Sequence, residues 1–157
     1  MEPIASFTID HLKLLPGLYV SRKDKSGGVT VTTFDIRVTR PNFEPVMDMP
    51  AVHTIEHIGA TFLRNSPEQE SIVYFGPMGC RTGFYLLVFG DRAPGGLLPL
   101  VKAMFEFIIR FEGEIPGATA AACGNYLEQN LAMAKFYAQK YLAALERSGE
   151  SVYSAPG

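Results

Sequence analysis

The run Val29-Thr30-Val31-Thr32-Thr33-Phe34-Asp35-Ile36-Arg37-Val38 limits the fold more than any other stretch of the chain. β-branched residues dominate it, and they fit an extended, pleated backbone better than a helix. Side chains alternate along a strand, so Phe34, Ile36 and Val38 share one face while Thr33, Asp35 and Arg37 share the other. The alternation predicts a sheet with one buried face and one wetter face. Leu18 to Arg22 reads as a preceding strand, and Ser26-Gly27-Gly28 as the turn of an antiparallel hairpin.

The stretch after the hairpin carries the strongest chemical signal. Pro50 to Arg64 has Pro50 suited to a first helical turn, Val52, Ile55, Gly59 and Phe62 near helical spacing, and Asn65-Ser66-Pro67 as a stop. Within it stands His53-Thr54-Ile55-Glu56-His57. Residues four apart lie one above the other on a helix, so His53 and His57 present imidazoles on one face, as a divalent metal needs. Glu56 sits beside them as a candidate acid/base in an H-x-x-E-H pattern. The plain alternative is an amphipathic helix that carries two histidines by chance.

Further on, Ser71 to Phe75 and Phe84 to Phe89 read as strands around a Gly/Pro turn. Leu97 to Phe111 reads as a core-facing helix with Pro99 near its start, and Asn125 to Arg147 as a last long helix. Ser148 to Gly157 is polar and reads as a loose tail. Hairpin-like strands followed by helices, without βαβ alternation, predict an α+β fold: an antiparallel β-sheet covered by α-helices. Strand order does not follow from the sequence.

At 157 residues the chain reads as one domain over 1–157, with 47% hydrophobic and 11% aromatic residues as in an ordinary soluble protein. A net charge of -2 offers no basic excess for nucleic acid or an anionic membrane. Nothing at the N-terminus resembles an export signal and no apolar run is long enough to span a bilayer, so a cytoplasmic location is expected. In that compartment the two cysteines, Cys80 and Cys123, are better read as metal-binding or catalytic thiols than as a disulfide.

A metal held by His53 and His57 needs a further ligand; His11, Cys80, Cys123 and several carboxylates qualify by chemistry. Cys123 directly precedes the predicted last helix, where the positive dipole end would favour a thiolate; a small buried hydrophobe is the alternative. Cys80 lies in the turn Gly76-Pro77-Met78-Gly79-Cys80-Arg81-Thr82-Gly83, with Arg81 adjacent, and reads either as a displayed reactive thiol or as an ordinary turn residue. Arg37 and His11 are candidates for recognising a polar substrate or, singly, plain surface or salt-bridging residues.

Together these residues resemble the LuxS family, the S-ribosylhomocysteine lyases. The resemblance runs through Ser6-Phe7 with Asp10-His11, Phe34-Asp35-Ile36-Arg37, His53-Thr54-Ile55-Glu56-His57, Gly76 to Tyr85, and Cys123-Gly124-Asn125-Tyr126. It implies that His53, His57 and Cys123 bind one divalent metal, ferrous iron natively and often zinc after aerobic handling. It implies Glu56 and Cys80 as the acid/base pair, and Ser6, His11 and Arg37 as substrate contacts. It further implies a homodimer with two sites at the interface, each completed by the partner's N-terminal segment. One departure stands out: a common form of the family has Asp-Ile-Ser where this chain has Tyr74-Phe75-Gly76, which alters that wall of the pocket.

The reaction implied is cleavage of S-ribosylhomocysteine to homocysteine and 4,5-dihydroxy-2,3-pentanedione, the precursor of autoinducer-2 in quorum sensing, a step that also recycles homocysteine. A thioether resists direct hydrolysis, so the sugar carbonyl first migrates until it can assist β-elimination. That calls for a Lewis acid and two proton-transfer groups, and for no redox cofactor; no G-x-G-x-x-G run is present. Two other readings use the same histidines: an inverted-motif metallopeptidase, and a non-catalytic domain in which a fourth protein ligand closes a structural metal site.

Overall fold

Gly27 and Gly28 both take positive φ, 54° and 81°, the backbone of a two-residue turn whose twist matches the flanking strands. They join strand β1 (Gly17–Ser26) to β2 (Val29–Arg37) in the expected hairpin, although β1 extends beyond Arg22. The computed structural model describes residues 1–148 and 155–156. After β2 come helix α1 (Met49–Arg64), β3 (Ile72–Pro77), β4 (Gly83–Phe89), α2 (Pro94–Arg110) and α3 (Leu131–Ser148). The four strands form one antiparallel sheet in the order β1-β2-β4-β3, so β4 inserts between the hairpin and β3. The fold is α+β, as expected.

Leu18, Phe34, Ile36, Phe84 and Leu86 project from one face of the sheet and pack, fully buried, with residues of all three helices, among them Ile55, Phe105 and Tyr141. Burial of this kind is worth about 1.5–3 kcal/mol per large apolar side chain. α1 lies tight on β3 because Gly59 has no side chain: a β-carbon there would stand 2.6 Å from the Phe75 ring.

The opposite face is polar, as the alternation predicts, but it is not wet. Thr33, Asp35 and Arg37 are as buried as the core. Asp35 pairs with Arg37, and the N-terminal segment lies over this face, where the Tyr85 hydroxyl meets Ser6 Oγ at 3.3 Å. A pattern of alternation reports which side chains share a face; what later covers that face is a tertiary matter.

Two helix starts differ from expectation. α2 begins at Pro94, a turn before Leu97, with Pro99 inside it. α3 begins at Leu131 rather than Asn125. The Asn130 side chain accepts from the Met133 N–H at 3.0 Å, an N-cap that sets the start. Residues before it bond to α1 instead: the Thr54 hydroxyl donates to Gln129 Oε1 and accepts from the Asn130 N–H. Cys123 therefore lies well before any helix N-terminus, and the dipole argument for its thiolate does not apply. The expected loose tail falls mostly outside the described residues. Among those described, no helix is long and apolar enough to cross a membrane.

Candidate metal centre and catalytic clefts

The site begins with the geometry of α1. The Asp48 carboxylate accepts from the Ala51 N–H at 3.1 Å, and Pro50 occupies the first turn. The apolar side, with Val52, Ile55 and Ile58, is buried against the sheet. Turning that side inward leaves His53, Glu56 and His57 partly exposed along the edge of the helix. The two imidazoles meet edge to face with ring centroids 4.5 Å apart.

Backbone carbonyls fix both rings. His53 Nδ1 lies 2.8 Å from the Glu128 carbonyl oxygen and His57 Nδ1 lies 2.7 Å from that of Pro116. A carbonyl only accepts, so each Nδ1 carries the hydrogen and each Nε2 keeps its lone pair free. This is the outer support that metal-ligating histidines ordinarily have. Cys123 Sγ stands 3.4 Å from His53 Nε2, and the ligand atoms of His53, His57 and Cys123 all lie within 4.8 Å of one another. Bonds of about 2.0 Å to nitrogen and 2.3 Å to sulfur at a tetrahedral ion put neighbouring donors roughly 3.3–3.5 Å apart. The donor set fits one metal ion. Both cysteines are free thiols.

The remaining candidates separate into two clefts. Glu56 and His53 line a cavity of about 210 Å³ together with Pro77, Asn125 and Glu128. Ser6, His11, Arg37 and Cys80 line a larger one of about 620 Å³, with Pro77 as its other wall. One chain thus brings the three candidate metal ligands and Glu56 together, and brings Cys80, Arg37, His11 and Ser6 together, with Pro77 between the groups.

Cys80 is displayed at the tip of the β3–β4 turn, where Arg81 takes a φ of 59°. The cation that reaches its sulfur is Arg37, not the adjacent Arg81: Arg37 Nη1 lies 3.8 Å from Cys80 Sγ. Arg37 is itself held by Asp35, donating from Nε at 3.1 Å and from Nη2 at 2.5 Å. Burial pushes the Asp35 carboxyl up from the usual range, opposed by Arg37 and by His11. His11 Nδ1 bonds the Ile9 carbonyl at 2.8 Å, so its Nε2 is the atom left for other partners.

Several contributors were not singled out from the sequence: Asp35 behind Arg37, Thr82 beside Cys80, and the carbonyls of Pro116 and Glu128. The last two act through the backbone and leave no mark in residue identity. Asp35 sits two positions from Arg37 on one strand face, a spacing visible in the sequence.

Comparison with known proteins bears on the same residues. The family model described as S-ribosylhomocysteinase (LuxS) matches residues 4–151. A protein of Clostridium acetobutylicum named S-ribosylhomocysteine lyase is 57% identical over 99% of both chains. Proteins of the same name from Finegoldia magna and Borreliella burgdorferi are 61% identical over 90% of both chains, and 55% identical over 99% of this chain and 100% of the relative.

Proposed function

The chain belongs to the S-ribosylhomocysteinase (LuxS) family, and on that premise we propose that it is a metal-dependent lyase converting S-ribosylhomocysteine to homocysteine and 4,5-dihydroxy-2,3-pentanedione. The observation that carries this reading is the convergence of His53, His57 and Cys123 on one ligand sphere, with Glu56 on the same helix edge. Two imidazoles and a thiolate suit zinc and ferrous iron alike. The resemblance favours iron in the cell and zinc after handling in air.

When bound, the ion would supply Lewis acidity toward substrate oxygens. The protein supplies the rest. Glu56 borders the same cleft as His53 and moves protons at the sugar oxygens. Cys80, with Arg37 beside it, acts as thiolate base at the carbons next to the carbonyl. Each carbonyl migration removes a proton from one carbon and returns it to its neighbour, so no oxidant or reductant is consumed. Once the carbonyl stands β to sulfur, loss of the intervening proton expels the homocysteine thiolate. Ser6, His11 and Arg37 contact and orient the substrate in the larger cleft.

The working form is a homodimer. Ile4, Phe7 and Leu12 expose more than half of their surface on the N-terminal segment. That segment borders the cleft holding Cys80, and Leu127, the chain neighbour of the Glu128 whose carbonyl supports His53, is exposed. Pairing two copies across these surfaces would cover the apolar residues and allow a cleft of one copy to be completed by the other. The protein works in the cytoplasm, and its products serve autoinducer-2 synthesis and homocysteine recycling.

The test is thiol release from S-ribosylhomocysteine by protein loaded anaerobically with ferrous iron, beside a Cys123→Ala control. Release that requires both the metal and Cys123 supports the lyase. Absence of release from folded, loaded protein overturns it in favour of the peptidase or structural-metal reading. Full turnover by Cys80→Ser or Glu56→Gln would refute the acid/base assignment.

A further inference from the structure

Thr82 is 4% exposed, and its carbonyl oxygen accepts from both the Val38 N–H at 2.9 Å and the Thr39 N–H at 3.0 Å. Those two bonds pin the residue between the end of β2 and the start of β4. Its hydroxyl oxygen is then 2.7 Å from Arg37 Nη1 and 3.2 Å from Cys80 Sγ. A guanidinium only donates, so Thr82 Oγ1 accepts from Arg37. The hydroxyl hydrogen is left to turn toward the sulfur.

Arg37 cannot turn away, because Asp35 holds its other edge through two hydrogen bonds. The order Asp35–Arg37–Thr82–Cys80 therefore has one direction: carboxylate to guanidinium to hydroxyl to sulfur. We infer that Thr82 is a positioning residue for the lyase reaction, its hydroxyl donating to the Cys80 thiolate and aiming the sulfur into the cleft. The inference rests on Cys80 being the carbon base.

The arrangement serves both halves of a proton transfer. As thiolate, Cys80 accepts from the Thr82 hydroxyl. When sulfur takes a proton from substrate carbon, an S–H bond forms and a C–H bond breaks, and the electron pair passes into the neighbouring carbonyl. The hydroxyl then rotates so that its second lone pair accepts from the S–H, while the bond from Arg37 persists. Other charged or titratable groups facing the cleft are His11 from the N-terminal segment, Glu44 from the loop after β2, and Tyr85 from β4. None of them is altered by a change confined to the Thr82 side chain.

The test compares metal-loaded, full-length Thr82→Val and Thr82→Ser with the unmodified chain. Valine keeps the shape and lacks the hydroxyl; serine keeps the hydroxyl. Iodoacetamide alkylation of Cys80 is followed against pH by mass spectrometry of the Cys80 peptide, beside the pH profile of kcat/KM. The expected result for valine is an alkylation midpoint moved up by about one pH unit and a kcat/KM roughly tenfold lower near neutrality, since hydrogen bonds to charged groups have this magnitude. Serine should restore both. Coincident profiles for valine and the unmodified chain would overturn the inference, as would equal shifts in serine and valine, which would signal packing alone. Alkylation is read without turnover, so this failure is distinct from full turnover by Cys80→Ser, which would remove Cys80 from the chemistry altogether.

Discussion

The phenol of Tyr74 occupies the space that a side chain on Gly76 would need: a β-carbon built there would stand 2.0 Å from Tyr74 Oη and 2.4 Å from Cζ. The two residues lie two apart on β3, on one face of the sheet, and the ring folds along the strand over the glycine. The Tyr74 ring in this place and a side chain at position 76 therefore exclude one another.

Gly76→Ser alone should displace the Tyr74 ring, at a cost of about 1 kcal/mol because the ring is half exposed and has room to move. Tyr74→Asp combined with Gly76→Ser should recover that loss. Urea denaturation of the two single variants and the double gives the coupling; strict additivity would show that the ring does not hold this position.

Asp35→Ala should be costly. It leaves the Arg37 guanidinium buried without its carboxylate, and breaking such pairs destabilises by about 3–5 kcal/mol. The double variant Asp35→Leu/Arg37→Met should be more stable than Asp35→Ala in the same denaturation experiment, yet inactive.

Metal removal should loosen one identifiable region. His53 and His57 sit on α1, whereas Cys123 and both supporting carbonyls come from the stretch between α2 and α3. Chelation should lower Tm and raise amide exchange across residues 112–130, leaving the β1–β2 hairpin protected. An ion present at 100 times its Kd stabilises by about 2.7 kcal/mol, the size of change to look for. His57→Ala should bind less than one ion per chain and show little response to chelator.

Alkaline stability should depend on Tyr19. Burial, and then the Asp35 carboxylate, push its phenol up to about 12. The folded chain thus holds this proton more tightly than the unfolded one. The stabilisation is complete below the ordinary tyrosine range and is lost as pH rises through it toward about 12. Tyr19→Phe should flatten the fall in Tm above pH 10, while losing the 2.8 Å hydrogen bond to the Leu15 carbonyl at every pH. An unchanged alkaline slope would contradict this.

The hairpin, α1 and the paired histidines were legible in residue order because each depends on local periodicity: two for the strands, 3.6 for the helix. Cys80 was legible as a turn residue because glycine and proline punctuate the chain around it. The sequence predicts too early a start for α3 because helical spacing continues through Leu127, while Asn130 caps the helix and Gln129 bonds Thr54 on α1. Tertiary contacts of that kind override a weak local preference.

By itself, then, the sequence determined which side chains share a face, where the chain turns, and that two histidines stand one turn apart on a helix. The tertiary structure decided that Cys123 meets His53 from 70 positions away. It also buried the polar face of β2, gave Cys80 the cation of Arg37 rather than Arg81, and kept Glu56 and Cys80 in separate clefts of one chain. The physical reason is that periodicity sets direction within one element, whereas distance between elements is set by how the helices and the N-terminal segment pack on the sheet.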